Sequence, residues 1–153
     1  VATCNKLLSV FMISEFEQKI IEELDSREDL EYFVKIAENS ENPFFLRALA
    51  TSYNWNDGFS IPIAIANNRY CDLGIALTLF WLAEGIALYT SEIVPNEHNQ
   101  EWAEYSQLLI DRLIADHYQI GIIGFKPSIS KLTEHKYNKR NVPSVLFSEV
   151  VGA

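Results

Sequence analysis

Along the first third of the chain, apolar residues recur every three or four positions, the spacing that puts them on one face of a helix. Phe16, Ile20, Ile21 and Leu24 make one such stripe. Ser14-Glu15-Phe16-Glu17, at its start, has the Ser-x-x-Glu form of a capping box, in which serine and glutamate satisfy the open amides of a first turn. Asp25-Ser26 breaks the stripe and offers a new cap, after which Leu30, Phe33, Val34 and Ala37 repeat the pattern. Asn42-Pro43 opens a third helix, because proline at the first helical position gives up no hydrogen bond. Phe45, Leu49 and Tyr53 continue it on one face. Asn54-Trp55-Asn56-Asp57-Gly58 reads as a turn, with Gly58 free to take positive φ. Ser60 and Pro62 then start a short helix that Asn67-Asn68 closes.

From Asp72, a natural cap, Leu73 to Ala83 is apolar on nearly all sides, the mark of a central, buried helix. Glu84-Gly85 ends or kinks it before Ile86 to Tyr89. Pro95-Asn96 leads into a long amphipathic helix from about Glu97 to Tyr118, with Trp102, Tyr105, Leu109 and Leu113 inward and Ile110 and Ile114 beside them. Ile120 to Phe125, β-branched and broken by Gly121 and Gly124, fits a short strand or an extended arm. Lys126-Pro127-Ser128 starts a further short helix through about His135, and Pro143 to Val150 is apolar enough to dock as a last helix. The pattern predicts an all-α fold, an irregular antiparallel helical bundle or short solenoid-like stack of about six to seven helices. No linker, low-complexity segment or clear repeat divides the chain, so a single helical domain over residues 1–153 is expected.

Composition narrows the class. With 153 residues, 48% of them hydrophobic, the chain can bury a core without metal or disulfide staples. The longest apolar stretch, Leu73 to Ala83, is 11 residues, where a bilayer needs roughly 20. Lys6 followed by Leu7 to Ile13 has the look of a signal-peptide start, but Glu15 and Glu17 follow with no small-residue cleavage site, so it reads as a first core-facing segment. Cys4 and Cys71 have no ligand spacing and suit a reducing, cytoplasmic setting, with a disulfide between them as the alternative.

Charge says more. Twelve bases against 21 acids give −9, which repels phosphate backbones and anionic membranes and favours a basic protein partner. Solubility alone is the plainer reading of such a surplus. The surplus is polarised, however. Glu15 to Glu41 holds ten acids and three bases, whereas Lys126 to Arg140 holds five bases and one acid.

Catalytic patterns are missing from the sequence. Gly121-Ile122-Ile123-Gly124 lacks the third glycine and the lysine of a phosphate loop. His98, His117 and His135 have none of the spacings that aim two imidazoles at one ion. Cys71, beside a helix start whose dipole could activate it, would be a nucleophile only with a base nearby, and cysteine before so apolar a helix reads as packing. No catalytic residue, metal or cofactor is expected, and the chain reads as a binding protein rather than an enzyme. A ligand pocket on Trp55 and Asp57 is the competing use of the aromatic turn, which otherwise pins two helices.

Tyr53-Asn54-Trp55-Asn56-Asp57-Gly58-Phe59, Ile61-Pro62, Cys71-Asp72-Leu73-Gly74 and Phe80-Trp81-Leu82-Ala83-Glu84-Gly85 together resemble the bacterial domain of unknown function 4274, over about residues 45–120. Asn56 stands where that family tends to have aspartate. Proteins of this sort resemble small neighbours of bacterial polymorphic toxins. The resemblance therefore implies an immunity protein of a contact-dependent or polymorphic toxin system, acting as a monomer or as a heterodimer with its toxin. Joined to the charge layout, it implies that Glu15, Glu22, Glu28, Glu31 and Glu38, on the first two helices, cover the basic active site of a toxin nuclease. A small-ligand or regulatory protein-binding domain is the alternative.

Overall fold

The computed structural model describes residues 12–153. The expectations for Cys4 and for the apolar stretch beginning at Lys6 lie outside these residues, apart from Met12 and Ile13. The fold is all-α: among the described residues there are eight α-helices and no strand. They are α1 Glu15–Glu23, α2 Leu30–Asn39, α3 Pro43–Ser52, α4 Ser60–Asn67, α5 Leu73–Leu82, α6 Ile86–Tyr89, α7 Gln100–Ile114 and α8 Lys131–Lys139, followed by a 3-10 turn at Ser144–Leu146. They fall into two compact units, the first ending at Cys71 and the second running Asp72–Ala153.

In the first unit the caps set the helix starts. Ser14 and Glu17 form the expected reciprocal box at α1, with both backbone amides satisfied at 2.9 and 3.1 Å. Asn42 caps α3 by accepting from Phe44 N. The expected cap at Asp25-Ser26 is not used: Asp29 accepts from Tyr32 N at 3.2 Å, and Asp25 and Ser26 belong to the preceding turn. The core joins Ile20, Phe33, Ala37, Phe45, Leu46, Leu49, Ile61 and Ile65, and α2 lies along α4. Fully burying one such large side chain stabilises by roughly 1.5–3 kcal/mol. Phe16 and Leu30, expected on the inner stripes, instead face outward, 68% and 45% exposed. Ile20 and Phe33, one turn further along each helix, take the core positions.

Asn68 ties this unit together. Its side-chain amide donates to the carbonyls of Ala37 and Ser40 at 2.8 Å and Glu38 at 3.3 Å, while its Oδ1 accepts from Tyr70 N at 2.7 Å. The open carbonyls at the end of α2 are thus satisfied by a residue some 30 positions away.

The second unit is organised around α5, whose Gly74, Ile75, Ala76, Leu77, Leu79 and Phe80 are all buried. Helices α5 and α6 and the 3-10 turn pack on α7. Two indoles hold the ends: Trp102 Nε1 donates to Ala83 O at 2.6 Å and Trp81 Nε1 to Leu146 O at 2.9 Å. Asp72 serves twice, capping α5 through Ile75 N and accepting from Ile123 N with its other oxygen, each at 3.0 Å. Gly74 makes this possible, since a Cβ there would collide with the Ile123 carbonyl.

In this unit two helix boundaries and the last expected helix differ from expectation, and the arm resolves between its two readings. Helix α7 spans Gln100–Ile114 rather than continuing to Tyr118, because Asp116 takes a positive φ of 54° that no helix continues through; Ile114 is exposed. Helix α8 starts at Lys131, where Ser130 accepts from Thr133 N, and not at Lys126. The arm Ile120–Phe125 is extended rather than a strand, meeting the tail through one antiparallel bridge, Phe125 with Val150, at 2.8 Å both ways. Val150 is therefore not helical, and Pro143 to Val150 contributes only the 3-10 turn.

Tyr137 of α8 is buried edge-on against Phe147. Burial, and then the nearby Glu92 carboxylate, push its phenol above the ordinary tyrosine range, against a smaller opposing pull from Arg140. A raised pKa means the folded chain holds this proton more tightly than the unfolded chain does. Its stabilising contribution should be intact below the ordinary tyrosine range and disappear as pH rises through the raised value. A phenolate absorbance titration should show a late component that Tyr137→Phe removes; an unchanged titration curve would contradict the assignment.

Candidate functional site

Of the five carboxylates expected to bind a partner, all are exposed. Glu15 and Glu22 stand seven residues apart on α1, and Glu31 and Glu38 likewise on α2, so each helix presents a pair on one face about two turns apart. Glu28 is not on the second helix as expected but in the loop before it. It lines a depression of about 320 Å³ together with Asp25, Arg27, Leu30, Tyr53 and Asp57. Folding thus brings Asp57, remote in sequence, to the acidic residues near Glu28. Only a contact between the α1–α2 loop and the turn after α3 could have shown this, and hydrophobic spacing does not report such contacts.

Ion pairing leaves most of this charge unneutralised. Among the described residues, Glu31 pairs with Lys35 at 3.1 Å, while Glu15, Glu22, Glu28 and Glu38 have no ion pair. Arg27 is shared by Glu23 at 3.6 Å and Asp29 at 3.7 Å, and its guanidinium lies over the Tyr32 ring. Exposed pairs of this kind contribute roughly 0–1 kcal/mol, so they do little to hold the local field down. Lys19, in the depression that Glu15 and Glu22 also line, is the basic residue closest to that pair in sequence.

Apolar side chains stand among these charges. Exposed Phe16 lies at one side of a groove of about 520 Å³ formed by Ile20 of α1, Ile36 of α2 and Phe45 of α3, with Glu17 and Glu41 among its lining residues. Large exposed apolar groups within polar surroundings are a common composition for protein interfaces.

The aromatic turn is occupied with its own structure. Trp55 Nε1 donates to Ala50 O at 3.1 Å and Tyr53 OH to Gly58 O at 2.8 Å, while Gly58 takes a φ of 92°. The Trp55 ring meets Tyr53 and Phe59 edge-on. Cys71 is buried, at 7% exposure, and its amide donates to Asn68 O. His98 pairs with Glu97 at the surface and His117 packs on Tyr118, and His135 is exposed. Among the described residues no His, Cys, Asp and Glu are grouped to hold a metal ion, and no helix is long and apolar enough to cross a membrane.

Fold and surface together define an all-α protein whose first unit exposes unpaired carboxylates around apolar side chains. Residues 41–114 match the family described as Domain of unknown function (DUF4274), the one that the Tyr53–Phe59 and Cys71–Gly85 motifs resemble. No curated protein and no solved structure matches the chain. Glu15, Glu22, Glu28, Glu31 and Glu38 all precede the matched span.

Proposed function

We propose that this chain is an immunity protein: in the cytoplasm it binds a cognate bacterial toxin, a nuclease with a basic catalytic cleft, and neutralises it by covering that cleft. It acts by binding, without catalysis. The observation that carries this reading is the set of exposed carboxylates on α1, α2 and the loop between them, four of the five lacking an ion pair among the described residues. A nuclease cleft is built to receive a row of phosphates, and spaced carboxylates present a similar charge.

Complementary charge acts mainly on encounter, so the test is kinetic. Glu22→Lys, Glu28→Lys and Glu31→Lys combined should slow association with the cognate nuclease domain, sought among the neighbouring genes, by about tenfold or more at low salt, and flatten the salt dependence. All three positions are exposed, so the fold should survive. A triple variant that associates and protects at the unaltered rate would sink the proposal.

A further inference from the structure

We infer that the groove between α1, the end of α2 and the start of α3 is an anchor socket for one large apolar side chain carried on a lysine- and arginine-rich segment of the partner. This rests on the reading that the partner is a basic protein, and it adds where affinity, as distinct from encounter rate, arises.

The socket is apolar inside and acidic around. Phe16, Ile20, Ile36 and Phe45 supply its apolar lining, and Glu17 and Glu41 supply its charge. The groove is open to solvent, and its volume of about 520 Å³ leaves room for one large side chain. One side is held in place before any partner arrives. The Glu17 carboxylate accepts from Ser14 N at 2.9 Å and from Asn42 Nδ2 at 3.2 Å, and Asn42 Nδ2 also donates to Met12 O at 3.0 Å. A pre-ordered rim lowers the entropy lost on binding.

The acidic rim selects the occupant. An apolar residue flanked by bases gains both contacts, whereas one flanked by acids is repelled. Among the described residues of a second copy, α8 offers exposed Leu132 beside Lys131 and three residues from His135. Each copy carries −9, however, and mutual repulsion opposes that pairing. The occupant is therefore a foreign basic segment.

The probe is a synthetic lysine- and arginine-rich helical peptide with one central phenylalanine, compared with the same peptide carrying alanine there. Titrated by fluorescence anisotropy into the full chain, the first should bind about tenfold more tightly. Phe16→Ala should erase that ratio, and because Phe16 is mostly exposed the fold should tolerate it. Charge reversal at Glu22, Glu28 and Glu31 should weaken both peptides and leave the ratio alone. Equal affinity for the two peptides, or a ratio unaffected by Phe16→Ala, overturns the socket. So does a groove filled from within the chain, which would show as a large loss of thermal stability in Phe16→Ala with the ratio unchanged. Salt-sensitive dimers abolished by both Phe16→Ala and Lys131→Glu would assign the groove to a second copy instead. Neutralisation of the cognate toxin with no peptide ratio would leave the function standing and the socket refuted. A tenfold ratio with no toxin neutralised would do the reverse.

Discussion

Gly74→Ala should cost the second unit about 3 kcal/mol, although alanine within a helix normally gains over glycine, by up to about 1 kcal/mol in an interior and less in a first turn such as this. The two effects oppose each other, and geometry decides between them. The added Cβ would lie on the carbonyl of Ile123, backbone meeting backbone, so no rotamer change relieves the collision. Either α5 shifts within its buried surroundings or the Ile120–Phe125 arm lifts and Asp72 loses the amide of Ile123. Urea unfolding of the variant should show a clearly lower midpoint. A midpoint equal to or above that of the parent would mean that the close approach does not constrain this unit.

Asn68→Asp is the second large effect, expected to cost about 3 kcal/mol or more at neutral pH. The replacement is nearly isosteric, so packing is preserved and only the hydrogen-bonding character changes. Donors to the carbonyls of Ala37, Glu38 and Ser40 disappear, and a buried negative charge is set against three acceptors. The sign with pH follows directly. Those carbonyls favour the protonated carboxyl, so the folded state raises its pKa and the deficit shrinks as pH falls. Parallel thermal melts of parent and variant over the acidic range should converge; melts that stay equally separated at every pH would contradict the donor role.

Much of the fold could be read from sequence because its signals are local. Ser14, Asn42 and Asp72 sit where a side chain can accept from amides two or three residues ahead, and all three do so. The uniformly apolar α5 is buried over most of its length, up to the exposed Leu82 at its end, because no face of it could sit in water at low cost. What escaped were choices between rivals of similar local strength. Asp29 outcompeted Asp25-Ser26 as a cap, and Ser130 outcompeted Lys126-Pro127-Ser128 as a start. Of the expected stripes, Ile20, Phe33 and Ala37 are buried, but Phe16 and Leu30, a turn nearer each helix start, face outward. For the surface, the exposure of Glu15, Glu22, Glu31 and Glu38 could be read from sequence because acids opposite an apolar stripe must face solvent. Glu28 is exposed for another reason, lying in the loop before α2. The neighbourhood of Glu28 with Asp57 could not be read, being a tertiary contact. Nor could the groove at Phe16, which exists only because the helix packs with its next turn inward.

The Asn68 amide reaches back to carbonyls at residues 37, 38 and 40, all of them before the family span begins at residue 41. At the other end, Ile123, Leu146 and Phe147 complete a hydrophobic core after that span has ended at residue 114. The matched stretch is therefore not a stretch that folds by its own means. Excised at its borders, it would expose apolar surface at both ends and leave a buried amide without acceptors. Whatever else the flanking segments carry, each must supply the few backbone groups and side chains on which the middle depends.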